Sequence, residues 1–174
     1  EGLLLVAEDG AEATLQAPPG AGEPATVTEL IAAARTPRRL GLLLARKGAV
    51  AAGVADGTEL VASKVDTHYV QGRTAAGGWS QQRFARRRDN QAKAATADSA
   101  GIAGRILLPE VRTMTALVTG GDRAAIDAIL AERRLAPLAA LRAGRLLDVP
   151  EPRHAVLLSA IPMARAVPIL IRGS

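Results

Sequence analysis

The chain has 174 residues, with 22 basic and 17 acidic side chains, a formal net charge of +5, no cysteine, two histidines, and one each of Trp, Tyr and Phe. That length suits one domain with a real core and is too short for two large ones. The lack of cysteine excludes disulfides and thiol chemistry, the two well-separated histidines argue against a structural zinc site, and no apolar run approaches the roughly 20 residues that a membrane span requires.

With so few aromatic residues the core must be aliphatic, with alanine faces that let helices approach a sheet closely. The composition points to a soluble intracellular protein. In chain order, residues 2–7 (GLLLVA) and 11–16 (AEATLQ) flank Asp9-Gly10 and predict a small β-hairpin. Residues 17–25 are rich in Pro and Gly and read as a linker. Thr26 or Thr28 caps a short helix through Ala34, which Pro37 stops. Residues 1–37 are therefore expected to form an accessory segment, and residues 38–174 the main domain.

From Arg39, three apolar segments (LGLLLARKG, AVAAGVADG, TELVASKV) are separated by Lys47-Gly48 and Asp56-Gly57, the pattern of an antiparallel meander turning on glycines. THYVQGR predicts a fourth strand leading into a glycine loop. A long helix is expected from Gln81 to Ala103 with Ser80 as its cap. Its apolar stripe would be Phe84, Ala85, Ala92, Ala95, Ser99 and Ile102, leaving Arg83, Arg86, Arg87 and Lys93 outside and Arg88 to snorkel or pair. Residues 113–121 (TMTALVTGG) read as a buried strand, and Asp122 as the cap of the next helix. The short segment RLLDV, a helix opening at Pro150 and Pro152, and a last strand, AVPILIR, complete the chain. The fold class is α/β: a mixed sheet with an antiparallel meander and packing helices.

The charge is not spread evenly. Residues 68–93 hold Arg73, Arg83, Arg86, Arg87, Arg88 and Lys93 against Asp89 alone, so this segment carries the whole net charge of +5. Such an excess at the start of a helix, beside a glycine loop, is the electrostatic footprint of a phosphate-backbone partner; a merely solvated helix face needs no loop beside it.

Conventional catalytic signatures are few. The sequence has no Walker lysine after a glycine loop, no dinucleotide fingerprint and no clustered carboxylates for magnesium. Gly78-Trp79-Ser80-Gln81-Gln82 has the outline of a nucleophile elbow but lacks its closing glycine, so Ser80 is read as a helix cap before it is read as a nucleophile served by His68 or His154.

The order Gly77-Gly78, Ser80, then Arg83-Phe84-Ala85-Arg86 is more specific. It resembles the central domain of the eukaryotic and archaeal class-one peptide chain release factors, in which a Gly-Gly-Gln loop precedes a basic helix with a similar Arg-Phe-Ala-Arg segment. It is still more similar to the release-factor-like peptidyl-tRNA hydrolases of ribosome-associated quality control, above all their actinobacterial branch, whose loop sets the glutamine three residues after a glycine, as Gly78 and Gln81 are set here. The resemblance covers about residues 38–172 and implies the release-factor central fold, an RNase H-like or ribosomal-protein-like layer. Aligned on the glycines and arginines without a gap, the release-factor glutamine falls on Trp79. On the quality-control pattern it falls on Gln81, with Gln82 as the neighbouring candidate.

What the resemblance implies is a codon-independent peptidyl-tRNA hydrolase that frees nascent chains from stalled or split large ribosomal subunits in the cytoplasm, with no metal or organic cofactor and no membrane partner. Gln81, Gly77, Gly78 and Gln82 would form its catalytic loop. Arg83, Arg86, Arg87 and Lys93 would follow rRNA, and Trp79 either stacks on a nucleotide or anchors the loop stem. The residue types suit this chemistry. The peptidyl ester is already activated and needs a placed water and oxyanion donors more than a strong base. A glutamine amide both donates and accepts, and glycines admit close backbone approach. The alternatives are a non-catalytic ribosome- or RNA-binding module and a serine hydrolase built on Ser80.

Overall fold

The structure is a computed structural model that describes residues 2–46, 48–67 and 81–173, with the backbone alone for residues 81–89. The meander predicted from the sequence is present as β1 to β5 come into place: after a hairpin of β1 (Leu3–Val6) and β2 (Glu12–Leu15) and helix α1 (Val27–Arg35), the strands β3 (Arg39–Arg46), β4 (Ala49–Asp56) and β5 (Glu59–Thr67) run antiparallel to one another. Gly48 and Gly57 sit in the two turns at φ of 82° and 60°, a conformation that costs a glycine little and an L side chain much. The fourth strand expected at THYVQGR lies outside the described residues beyond Thr67, which ends β5.

Helix α2 (Gln81–Leu107) leads through a 3₁₀ turn at Leu108–Glu110 to β6 (Ala116–Gly121). Helix α3 (Arg123–Leu130), a 3₁₀ turn at Arg133–Leu135, helix α4 (Ala136–Ala140), strand β7 (Arg142–Leu147), helix α5 (His154–Arg165) and strand β8 (Ile169–Arg172) follow. The main sheet has the order β5-β4-β3-β6-β7, with β6 parallel to both β3 and β7. The mixed α/β architecture expected from the sequence is thus observed.

Both faces of this sheet are covered, which is why β3 and β4 read as continuous apolar runs. Leu43, Ala45, Val50, Ala52 and Val54 pack with Ile102, Ala103 and Leu107 of α2 and Ile126 and Ile129 of α3. On the other face, Leu40, Leu42, Leu44, Ala51 and Ala55 pack with Leu157, Ala160, Ile161 and Ala164 of α5. The buried alanines on strands and helices allow the close approach that an aromatic-poor core demands.

Strand β7 is an element the sequence pattern does not declare. Arg142, Gly144 and Arg145 break its alternation, and what satisfies them comes from elsewhere in the fold: Arg142 pairs with Asp127 of α3, and Arg145 Nη1 donates to the Met163 carbonyl of α5 at 3.2 Å. The terminal strand AVPILIR also departs from the simplest expectation. As β8 it pairs with β2, and β1-β2-β8 form a separate three-stranded antiparallel sheet, so the end of the chain completes the sheet begun by its N-terminal hairpin.

The predicted caps are in place where the structure describes them. Thr26 Oγ1 accepts from Glu29 N at 3.2 Å while Glu29 Oε2 accepts from Ala25 N at 2.8 Å, a reciprocal arrangement close to a capping box. Helix α1 ends at Arg35 ahead of Pro37. Asp122 Oδ1 accepts from Ala124 N at 2.9 Å and Ala125 N at 3.4 Å at the start of α3. Ser80, the expected cap of α2, lies outside the described residues.

Candidate functional site

The site read from the sequence falls on the connection between β5 and α2. Among the described residues strand β5 is the outer strand of the main sheet, and at its end Asp66 and Thr67 are exposed, with Asp66 Oδ1 accepting from Thr67 N at 2.9 Å. The chain is described again at Gln81, the first residue of α2. Gly77, Gly78 and Trp79, like His68, Arg73 and the rest of the expected glycine loop, lie outside the described residues. Gln81, Gln82 and Arg83 occupy the first turn of α2, and Arg86 and Arg87 the next, as backbone positions; Phe84, Ala85 and Arg88 are described in the same way.

Helix α2 is about 40 Å long at 1.5 Å per residue, and its two ends live in different surroundings. Ser99, Ala100, Ile102, Ala103 and Leu107 are buried against the sheet and α3. Asn90, Gln91, Ala92, Lys93 and Ala94 are exposed on every side of the helix. Lys93 faces solvent as the sequence predicts, but Ala92, assigned to the buried stripe, does not reach cover. The stripe holds from Ser99 onward and fails at Ala92, because a helical stripe is buried only where another layer lies beneath it.

The electrostatics at the start of α2 run against helix preference. Its first turn carries no acidic residue, although the partial positive charge of a helix N-terminus favours one there. Arginines at positions 83, 86, 87 and 88 add to the helix dipole instead of offsetting it. The sequence thus places a run of formal positive charge in the first turns of the helix, close along the chain to Gly77 and Gly78, and such a run creates a positive potential. Such a potential attracts phosphate and also suits an oxyanion.

His154, named as a possible base for Ser80, begins α5 and is exposed, and α5 packs on the sheet face opposite α2. The fold does not bring it to the helix that follows Ser80. Among the described residues no group of three or more His, Cys, Asp or Glu is gathered that could hold a metal ion. No described helix is long and apolar enough to cross a membrane.

One cluster was missed from the sequence. Asp66, Asp98, Arg105 and Arg134 line an open groove of about 600 Å³ between the end of β5, the middle of α2 and the Arg133–Leu135 turn. The signal available was spacing: Arg105 stands about five helical turns beyond Arg87 on the same stripe of α2. Arg134 had no such signal, since it reaches the groove only through the packing of α3 and its following turn.

No curated protein matches the chain. Among solved structures, the crystal structure of the archaeal translation termination factor aRF1 is similar at 17% identity with a TM-score of 0.51, over 72% of this chain and 34% of that one. A second structure, an archaeal protein, aligns at 15% identity with a TM-score of 0.48, over 89% of this chain and 48% of the other. The chain therefore spans about a third of the length of the archaeal factor and about half of the second protein. The likeness to aRF1 is one of fold, and it bears out the release-factor-like architecture expected from the sequence. The sequence profile of the Actinobacteria/chloroflexi VLRF1 release factor matches residues 38–170, a span that runs from β3 into β8 and includes the glycine pair and the arginine helix, and the chain belongs to that family.

Proposed function

We propose that this protein is a codon-independent peptidyl-tRNA hydrolase that releases nascent chains from stalled or split large ribosomal subunits. A role in translation termination or ribosome rescue is what membership of a release-factor family supports; the hydrolytic step is the finer reading. The single observation that carries it is the family match over residues 38–170, which takes in a Gly77-Gly78 pair followed by a basic helix beginning at Gln81.

In this reading Gln81 supplies the catalytic amide. Its carbonyl oxygen accepts from the attacking water and its N–H₂ donates toward the oxygen on which charge develops, with Gln82 as the adjacent candidate. Gly77 and Gly78 allow backbone N–H groups to approach the ester where a Cβ would intrude. Arg83, Arg86, Arg87 and Lys93 follow the phosphates of rRNA around the peptidyl-transferase centre, without base specificity, and Trp79 stacks on a nucleotide or anchors the loop. The reaction needs no metal or organic cofactor, since water and ester are brought together by position alone. The working unit is residues 38–174, with residues 1–37 as an attached segment, and the reaction belongs in the cytoplasm, where ribosomes carry peptidyl-tRNA.

The test is release of a labelled peptide from peptidyl-tRNA held on large ribosomal subunits. The intact protein releases it, Gln81→Ala binds the subunit without releasing, and Ser80→Ala releases normally. Binding without release by the intact protein would leave the non-catalytic RNA-binding module in its place, and loss of release in Ser80→Ala would leave the serine hydrolase.

A further inference from the structure

The groove beside α2 differs from the other charged clusters of the molecule. Elsewhere opposite charges close on each other: Arg39 lies 2.9 Å from both Asp56 and Glu110, Arg46 lies 3.5 Å from Asp148, and Arg142 pairs with Asp127. In the groove, Asp66, Asp98, Arg105 and Arg134 share one lining, yet among the described residues no ion pair within 4.0 Å joins any of them. Arg134 is held by backbone instead. Its Nη2 donates to the Ala97 carbonyl at 3.4 Å, and the guanidinium lies beside Gly101, where an added Cβ would stand 3.8 Å from it, in ordinary van der Waals contact.

Among the described residues, opposite charges kept apart across an open groove of about 600 Å³ present both signs to a ligand that carries both kinds of partner. The chemistry that satisfies them together is an anion for the two guanidinium groups and a hydroxyl or amino donor for a carboxylate. A ribonucleotide has all of these: a phosphate that a guanidinium fork binds, and a 2′-hydroxyl that donates to a carboxylate. Position supports the same ligand. Arg105 falls on the α2 stripe that carries position 87, roughly 27 Å away, so a strand following the arginines from the helix start arrives at the groove.

We propose that this groove binds one nucleotide of a single RNA strand laid along α2, with Arg105 and Arg134 on its phosphate and Asp98 accepting from its 2′-hydroxyl. This rests on the RNA-facing reading of α2 and extends it by a second, ribose-sensitive contact. The groove would then set how the RNA runs past the helix, while the arginines near the helix start carry most of the attraction.

The experiment is fluorescence anisotropy with the full chain, a labelled single-stranded 15-nucleotide RNA and the DNA of the same sequence, over a salt series. The paired substitution Arg105→Gln with Arg134→Gln is expected to weaken RNA binding about tenfold and to make the slope of log affinity against log salt shallower by about 0.7, the value for one phosphate contact on a single strand. Arg105→Gln alone, at an exposed position, is expected to give about half that change in slope and guards against loss of the Arg134 backbone contact. Asp98→Ala is expected to lower the ratio of RNA to DNA affinity about threefold. Wild-type affinity and slope in both groove variants, with loss of binding only in Arg86→Gln/Arg87→Gln, would overturn the groove proposal and leave the RNA-facing reading standing. No RNA binding by the unaltered chain at low salt would bring both down.

Discussion

The two halves of α2 are built from similar small residues and meet opposite fates. From Ser99 to Leu107 the helix lies on the sheet and α3, and its alanines and Ile102 are buried. From Asn90 to Ala94 it is exposed all round, and its alanines face water. The difference teaches that the helix is both a core element and a projecting arm. The buried half fixes the direction of α2, and through it the position of Gln81, Arg86 and Arg87. Lys93 can stand in the exposed stretch because nothing apolar has to be met there. Rigidity is supplied at one end, and function is proposed at the other.

Breaking the core end is expected to give the largest effect. Leu107→Ala empties a fully buried site and is expected to cost about 2–5 kcal/mol of unfolding free energy, read by urea titration, while release per folded molecule is unchanged. At the other end the pattern inverts. Gln81→Ala is expected to lower peptide release by about 10²–10³-fold, the scale of removing one oxyanion donor, with the urea midpoint unmoved. If Gln81→Ala proved as destabilising as Leu107→Ala, the division of labour along the helix would fail.

Charge at the arm comes next in size. Arg86→Gln with Arg87→Gln is expected to weaken binding to large ribosomal subunits by about tenfold near 0.1 M salt and to flatten the salt dependence, measured by sedimentation over a salt series. Unchanged salt dependence would mean that the arginines are only a solvated face.

Two smaller changes sharpen the contrast from the core side. Asp122→Ala removes the cap of α3 and is expected to cost about 1 kcal/mol in the same urea titration. Thr119 is fully buried in β6 and its Oγ1 has no hydrogen-bond partner among the described residues, so Thr119→Val is expected to be neutral or to stabilise by up to about 1 kcal/mol. A loss of release in Thr119→Val without a loss of stability would give that buried hydroxyl a role beyond packing.

The second sheet makes the same point about cover. Leu4, Val6, Ile169 and Ile171 are as apolar as the residues of β3, yet they are between 52% and 72% exposed, whereas Leu42, Leu43 and Leu44 are at 0%. Composition reads these segments as strands equally well. Only the presence of α2, α3 and α5 on both faces of β3 distinguishes a core strand from a surface one.

By itself the sequence determined the features that depend on neighbours along the chain. The glycine turns at 48 and 57, the cap at Asp122, a cap at Thr26 or Thr28 of which the fold uses Thr26, the long helix from Gln81 and the stop before Pro37 were legible, because φ, capping and helical period are local properties. So was the family, since Gly77-Gly78 and Arg83 to Arg86 form one short continuous pattern. Tertiary structure alone decided what depends on residues far apart in sequence. It made a strand of Arg142–Leu147 by covering its arginines with α3 and α5, and it paired the last strand with the first hairpin. It left Ala92 in water and carried Arg134 across to α2. Each of those outcomes turns on which surface arrives to cover a side chain, and no local pattern encodes that arrival.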